Sequence, residues 1–346
     1  MPTPAEERVR DEPILVDGSA GEGGGQILRT SLAASLLTGT PFEITRIRAN
    51  RRRPGLLAQH LTAVRAAAEI ANASVEGARL HSGRLVFRPG RVQAGEYGFD
   101  VGTAGSATLV LQTVFLPLAE AGGPSTVTVT GGTHNLGAPP FEFLESAYLP
   151  LLRRMGVDAD VQLERLGFHP AGGGRIIATI RPAGWRPLEL TERGSVRSMR
   201  ARAVVSRLPL SIAHRELAVL QRRLALPPES LIAEEMEADG PGNAVLVAVE
   251  CDHVTEVFTG FGRRGLPAEE VAAEVADQVE RYLEAGAPVG PHLADQLLLP
   301  LVRAPGSRFL TSSPTSHFET NLAVLRKFFR SGLATEQTEA GVLVQS

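Results

Sequence analysis

The chain has 346 residues, 43% hydrophobic and 21% charged, which is long enough to bury two cores and too apolar for a disordered polypeptide. Its formal charge of -3 gives no global attraction for nucleic acid, so any polyanion contact must be local. Its single cysteine, Cys251, excludes a disulfide framework and a multi-cysteine metal centre, and reads as a small core residue. The polar Met1–Glu12 stretch has no apolar signal core, and no apolar run reaches the ~18 residues of a membrane span, so the expected location is the cytoplasm.

A shared rhythm of loop, helix, strand, loop and helix runs three times along the chain. First, Gly21–Gly25 leads into a helix with Leu28, Leu32 and Leu36 on one face, ended by Gly39. A strand alternates at Phe42 and Ile44, an arginine-rich loop ends in Pro54-Gly55, and a second helix presents Leu57, Leu61, Val64 and Ala68. A further strand is expected at Arg84–Phe87. The second copy opens at Gly102–Ser106 with a helix through Leu118, a strand at Val127 and Val129, and the loop Gly131-Gly132-Thr133-His134. Its second helix carries Phe141, Leu144, Tyr148, Leu151 and Met155, and Pro150 should kink it. The third copy runs from Gly290-Pro291-His292 through Leu297 and Leu301, a strand near Phe309-Leu310, a polar turn at His317, and a helix with Leu322, Leu325 and Phe329.

The expected fold class is therefore α+β, with three tandem units of βαβαβ type in a large domain, 13–192 plus 288–346, and an N-terminal tail at 1–12. Between the second and third copies the pattern changes, which implies an inserted smaller α/β domain at 193–287. Strands are expected at Arg197–Pro209, Val245–Glu250 and Val254–Thr259, with helices near Glu216–Ala225 and along Val271, Val275, Val279 and Tyr282. Equivalent loops carrying Arg48, Arg51, His134 and His317 could then converge on one cleft.

The chemistry-bearing residues fall in those loops. Arg46, Arg48, Arg51, Arg52 and Arg53 lie within eight residues, and no carboxylate occurs from Arg46 to Arg65. Guanidinium forks match phosphate oxygens, so this stretch suits a phosphate track as well as a solvated face. The Gly21–Gly25 run matches neither the dinucleotide fingerprint nor the P-loop, but it precedes a helix and embeds Glu22. A carboxylate beside a phosphate site calls for a divalent metal between them. His317 lies at a helix start, where backbone N–H groups attract phosphate and a neutral imidazole can act as a nucleophile. At the start of another helix, Asp295 and Gln296 could cap it or bind a ligand. Gly172–Gly174 reads as a tight β connection. The eight histidines show no zinc-ligand spacing, and no Gly-x-Ser-x-Gly elbow is present.

In order along the chain, Asp17–Arg29, Ile47–Leu56, Gln59–Ala63, Gly131–Thr133, Ala138–Pro140, Pro170–Gly174, His292–Gln296 and Ser316-His317 resemble the RNA 3'-terminal phosphate cyclases. The resemblance spans about Asp17 to Phe329. It implies three units like the C-terminal fold of a translation initiation factor, plus an inserted domain. It also implies an ATP-dependent reaction in three steps: attack of His317 on the α-phosphorus of ATP, transfer of AMP to an RNA 3'-phosphate, and ring closure by the 2'-OH with loss of AMP.

By the same resemblance, Glu22 contacts a divalent metal, magnesium or manganese, and Arg29, Arg48, Arg51 and Gln59 hold phosphates of ATP or of the RNA end. Gln112 and the segment His292, Leu293, Ala294, Asp295 and Gln296 contact the adenosine nucleotide. The expected partners are RNA 3'-phosphate ends, with DNA ends and 5'-phosphates left open because phosphate contacts do not read base sequence. One departure is Leu166, where the signature around the glycine triplet has a basic residue. Two other readings stand beside this one: a cyclase-like protein of ribosomal RNA processing without catalysis, against which the retained His317 argues, and a carboxyvinyl transferase.

Overall fold

The computed structural model describes residues 12–329 and 332–346. All of the 1–12 tail except Glu12 lies outside the described residues. The first segment comprises β1 (Ile14–Asp17), α1 (Gly25–Thr38), β2 (Phe42–Thr45), α2 (Ala58–Ala71), β3 (Ser74–Glu76) and β4 (Leu85–Arg88). The second comprises β5 (Glu96–Asp100), α3 (Ala107–Ala119), β6 (Ser125–Gly131), a π-helical turn (Phe143–Tyr148) running into α4 (Leu149–Arg154), β7 (Ala159–Arg165) and β8 (Gly174–Ile180). A two-residue strand, β9 (Glu189–Leu190), then precedes an interruption made of β10 (Val196–Ser206), α5 (Ser211–Leu224), β11 (Leu231–Glu235), β12 (Gly242–Cys251), β13 (Thr255–Phe261) and α6 (Ala268–Ala285). The chain resumes with α7 (Pro291–Arg303), β14 (Arg308–Thr311), α8 (Ser316–Phe328), β15 (Ala334–Thr338) and β16 (Gly341–Gln345).

Three sheets share one strand order: β1-β2-β4-β3, β5-β6-β8-β7 and β9-β14-β16-β15. In each, the first two strands pair in parallel and the last two form an antiparallel hairpin. Each segment is thus βαβαββ, one strand more than the sequence suggests. The missed strands have physical reasons: β15 (ATEQT) is almost wholly exposed and polar, and β11 (LIAEE) has little alternation. The fourth sheet, β11-β10-β12-β13, belongs to the interruption. Its helix α5 starts at Ser211 rather than near Glu216, because its first turn exposes His214 and Arg215 and gives no apolar period.

Helices from different segments cover one another: α1 lies against α3 and α8, α2 against α3, and α7 against the π-helical turn. Gly39 ends α1 in the left-handed conformation (φ 67°), as a helix stop requires. Pro150 has its effect through the π turn. Leu149 N bonds Leu144 O, five residues back, so the widened turn lies where Pro150 has no N–H to give. Leu166 is 1% exposed and bridges to Ala238 of the interruption, so this departure places an apolar side chain in a buried seam. Among the described residues no helix is long and apolar enough to cross a membrane.

The core is continuous across the first and third segments. Phe42 on β2 is fully buried, with its ring centroid 5.8 Å from Phe87 and 6.0 Å from Phe328 on α8. Lys327 Nζ donates to Leu15 O at 2.9 Å and fastens the same seam. Phe42→Ala should lower unfolding stability by about 3–5 kcal/mol. A free energy of urea unfolding within about 1 kcal/mol of the parent would mean that the seam collapses around the cavity.

Candidate active site

Two helix N-termini meet at one point. Helices α1 and α8 run side by side in the same direction, joined by Gln26 Oε1 to His317 Nδ1 at 2.6 Å and, one turn on, by a hydrogen bond from Thr30 Oγ1 to Asn321 Oδ1. Their first N–H groups and positive dipole ends therefore face the same space. The α8 start is fixed by Thr315, whose Oγ1 accepts from Phe318 N at 3.0 Å and donates to Asp295 Oδ1 at 2.8 Å. The α1 start has no side-chain cap at Gly24. A Cβ on Gly24 would lie 2.0 Å from Glu22 Oε1, and one on Gly25 would lie 2.1 Å from His60 Nε2. Glycine is what lets those two groups approach the helix end.

His317 is half-exposed at this junction. An amide oxygen can only accept, so Nδ1–H donates to Gln26 Oε1, which leaves the lone pair on Nε2. Partial burial, then Arg51 and Arg29, lower its pKa, which favours the neutral ring. Glu22 Oε1 lies 3.6 Å from His317 Nδ1, and the Glu22 carboxylate pairs with Arg51. Arg51 Nη2 also donates to Glu22 O at 3.1 Å.

Behind the glycines lies a cationic cluster. Arg29 is largely buried, and its pKa falls to about 10 through desolvation and the neighbouring Arg48, with no carboxylate among the described residues paired to it. Arg48 takes a left-handed backbone (φ 53°) and donates from Nη1 to Arg53 O at 2.6 Å and Gly55 O at 2.9 Å, so it shapes the loop as well as adding charge. His60 Nδ1 accepts from Leu57 N at 3.2 Å, which leaves the proton on Nε2 facing Gly25. Desolvation, then Arg29 and Arg48, push the His60 pKa down to about 3, so it is a neutral donor within a positive field. Gln59 is turned toward the second segment, where its Oε1 accepts from Ser106 N at 2.9 Å at the start of α3.

A cavity between α1, α3, α7 and α8 continues from this point, lined by Gln26, Arg29, Gln112, Asp295, Gln296 and Asn321 among others. Gln112 Nε2 donates to Gln296 Oε1 at 2.9 Å across it. Asp295 is buried, and its pKa rises to about 7 through desolvation, opposed by the Thr315 hydroxyl. His292 is exposed beside His317; desolvation and that second imidazole hold its pKa below the ordinary value.

Leu293 and Ala294 have their side chains fully buried in the core. Two expectations need correction. Asp295 does not cap its own helix; it serves the start of α8 through Thr315. His134 does not reach the cleft, because its ring is buried, with Nδ1 2.8 Å from Thr133 Oγ1 and Nε2 2.7 Å from Glu142 Oε2. Glu142 also pairs with Arg202 of the interruption, so His134 belongs to a seam between sheets.

The sequence reading had not singled out Gln26, His60 or Thr315. Gln26, Arg29 and Thr30 stand at i, i+3 and i+4, a polar stripe on an otherwise buried helix, and that was the available signal. Among the described residues, Glu22 is the carboxylate set against His317, and no group of three or more metal-ligating side chains exists. That donor set fits magnesium or manganese, which accepts one or two carboxylates and completes its shell with water and substrate phosphates.

A profile of the RNA 3'-terminal phosphate cyclase family matches residues 20–334. A protein from Ralstonia nicotianae named RNA 3'-terminal phosphate cyclase is 51% identical over 324 residues, 93% of each chain. Proteins of the same name from Ectopseudomonas mendocina and Koribacter versatilis are 47% and 51% identical over 95% and 91% of this chain, and over 96% and 89% of their own. The enolpyruvyl transferase NikO of Streptomyces tendae overlaps 49% of this chain and 33% of its own at 14% identity and a TM-score of 0.28, too slight to bear on fold or function. With that family profile spanning the glycine loop, the arginine track and His317, and with relatives near half identity along almost the whole chain, the protein belongs to the RNA 3'-terminal phosphate cyclase family.

Proposed function

We propose that the protein converts RNA 3'-terminal phosphates to 2',3'-cyclic phosphodiesters at the expense of ATP, through AMP carried on His317. The observation that carries this reading is Arg29, a largely buried guanidinium with no carboxylate partner among the described residues, set beside a neutral imidazole where two helix N-termini meet. An unpaired buried cation is costly, so such a site is complete only with an anion in it. A triphosphate, then a phosphorylated RNA end, supplies that anion.

In the first step the Nε2 lone pair of His317 attacks the α-phosphorus, the bond to the bridging oxygen breaks, and pyrophosphate leaves. Nδ1 keeps its proton toward Gln26, so the ring becomes cationic and the new P–N bond is weak enough to pass AMP on. An oxygen of the RNA 3'-phosphate then attacks the same phosphorus, and His317 leaves as the neutral imidazole. Finally the 2'-OH loses its proton and attacks the terminal phosphorus, and AMP departs with the electron pair. A phosphate monoester has no good leaving group, and this anhydride supplies one. Arg29, Arg51 and the helix ends face the phosphoryl oxygens on which charge builds, with Gln59 and His60 donating alongside. Glu22 would hold magnesium or manganese, which supplies further charge neutralisation when bound. Gln112, His292, Asp295 and Gln296 contact the adenosine nucleotide from the cleft wall. The substrate is met in the cytoplasm, and DNA or 5'-phosphate ends compete where their phosphate reaches the same cluster.

We also infer that the three like-ordered sheets are copies of one unit of the initiation-factor C-terminal type, together forming the large domain of 13–192 and 288–346. The interruption at 193–287 is then a separate smaller domain.

Incubation with α-labelled ATP and magnesium or manganese should attach an acid-labile label to the parent and none to His317→Ala; equal labelling would remove His317 from its role. No label on folded parent protein would favour the cyclase-like RNA-processing reading without catalysis. Because folding lowers the His317 pKa, the labelling rate should stay flat above neutrality and fall only below the ordinary imidazole value of about 6.5. A rate that fell already between pH 8 and 7 would contradict a neutral nucleophile.

Arg29→Met should slow labelling by about 10²–10³-fold while leaving the melting temperature unchanged or higher, since it removes a buried unpaired charge. A lower melting temperature would show that the guanidinium is satisfied within the protein. Glu22→Gln should move the metal titration to higher concentration, and a superimposable titration would take the carboxylate out of the metal shell.

A further inference from the structure

In the first two segments a short loop carries the chain from the first strand into the first helix: residues 18–24 into α1 and 101–106 into α3. In the third segment residues 191–290 intervene between β9 and α7. The start of α7 therefore cannot be held by a tight local loop. Its N-cap is Gly290, which has no side chain to cap the helix.

The interruption supplies what is missing. Glu256 on β13 is 2% exposed, and its Oε1 accepts from Gly290 N at 2.6 Å. A Cβ on Gly290 would lie only 2.9 Å from that oxygen, so the carboxyl group is pressed against the helix end. The two crossings between the interruption and the third segment are clamped nearby. Tyr282 at the end of α6 donates its hydroxyl to Pro288 O at 3.0 Å. Arg193 stacks 5.0 Å from the Tyr282 ring centroid and donates to Tyr282 O and Leu283 O at 2.9 and 3.3 Å.

We propose that Glu256 is a positioning residue for the nucleotide step: from the inserted sheet it caps α7 and thereby sets His292, Asp295 and Gln296 in the cleft wall. This rests on the reading of α7 as a nucleotide-contacting helix. A carboxyl oxygen at a helix N-terminus satisfies an orphan N–H and matches the dipole end. Burial raises the Glu256 pKa to about 8 against the pull of the Gly290 and Val257 N–H groups, so near neutrality the acceptor is largely an uncharged carboxyl. Glutamine is then a close mimic, and alanine removes the cap.

The test uses the full chain and measures single-turnover labelling of His317 against ATP concentration for Glu256→Ala, Glu256→Gln and Val249→Ala. Val249 is fully buried on β12 directly opposite Glu256, so its alanine variant loosens the packing beside that side chain while leaving both partners of the cap hydrogen bond in place. Glu256→Ala should raise the half-saturating ATP concentration about tenfold with the limiting rate within about twofold, which corresponds to the loss of one helix cap. Glu256→Gln should stay near the parent, and Val249→Ala should lower the melting temperature without moving the ATP dependence. The proposal is overturned if Glu256→Ala keeps the parent's ATP dependence, if Val249→Ala shifts it equally, or if glutamine fails as badly as alanine. Calorimetric ATP binding in a His317→Ala background separates the two readings. A His317→Ala protein that binds no ATP overturns the cyclase assignment and the cap together, whereas one that binds ATP equally with and without Glu256→Ala overturns the cap alone.

Discussion

The amide of Asn321 joins the three helices that make the site. It is 7% exposed; its Oδ1 accepts from Thr30 on α1, and its Nδ2 donates to Asp295 O on α7 at 3.1 Å. Both ends of a buried amide are thereby satisfied, one by the first segment 291 positions away and the other by the neighbouring helix of its own segment, and a hydrophobic side chain of the same size could do neither. Asn321 stands one helical turn from His317, so the bond that sets α1 against α8 also sets Gln26 against the imidazole. Asp295 returns the connection through Thr315 to the first turn of α8. The placement of His317 therefore depends on a closed circuit of polar contacts between helices, each too weak alone to fix the geometry and together leaving it little freedom.

That circuit encloses an electrostatic imbalance. Glu22 answers Arg51, but among the described residues no carboxylate answers Arg29, and Arg48 crowds it from behind. Such a cluster subtracts from stability and is held in place by the surrounding core, including the Phe42, Phe87 and Phe328 seam. His60 gives the same field a neutral donor, which can bind a phosphate oxygen without adding to the repulsion between guanidinium groups. The site is thus biased toward polyanions before any substrate arrives.

Local signals were legible in the sequence wherever the physics was local. The stop at Gly39, the period of α6 and the helix start before His317 all depend on residues a few positions apart, and the structure places them where the pattern does. The arginine track was visible by spacing, but the division of labour within it was not. Arg48 shapes the loop through Arg53 O and Gly55 O, and Arg51 reaches back 29 positions to Glu22, through folding of the first segment that spacing alone does not specify. Gln112 carried no signal of its own and entered only through family resemblance; its partner, Gln296, is 184 positions away. His134 shows the opposite failure. Its loop corresponds to those carrying Arg48 and His317, yet Glu142, eight residues on, draws it into a buried seam. Equivalence of loops fixes where the backbone goes and leaves open which way a side chain turns.

The interruption follows from the same distinction. A chain that repeats one βαβαββ order can tolerate a long insertion where two elements are joined by a loop, because the sheet hydrogen bonds on either side do not pass through it. The connection broken here is the one that delivers α7, and α7 carries both Asp295, which serves α8, and Gln296, which faces Gln112. An insertion that left the start of that helix loose would loosen the circuit through Asn321 as well. The buried carboxyl of Glu256 at Gly290 N, with Tyr282 on Pro288 O beside it, answers that constraint: a strand of the interruption itself supplies an acceptor at the helix end.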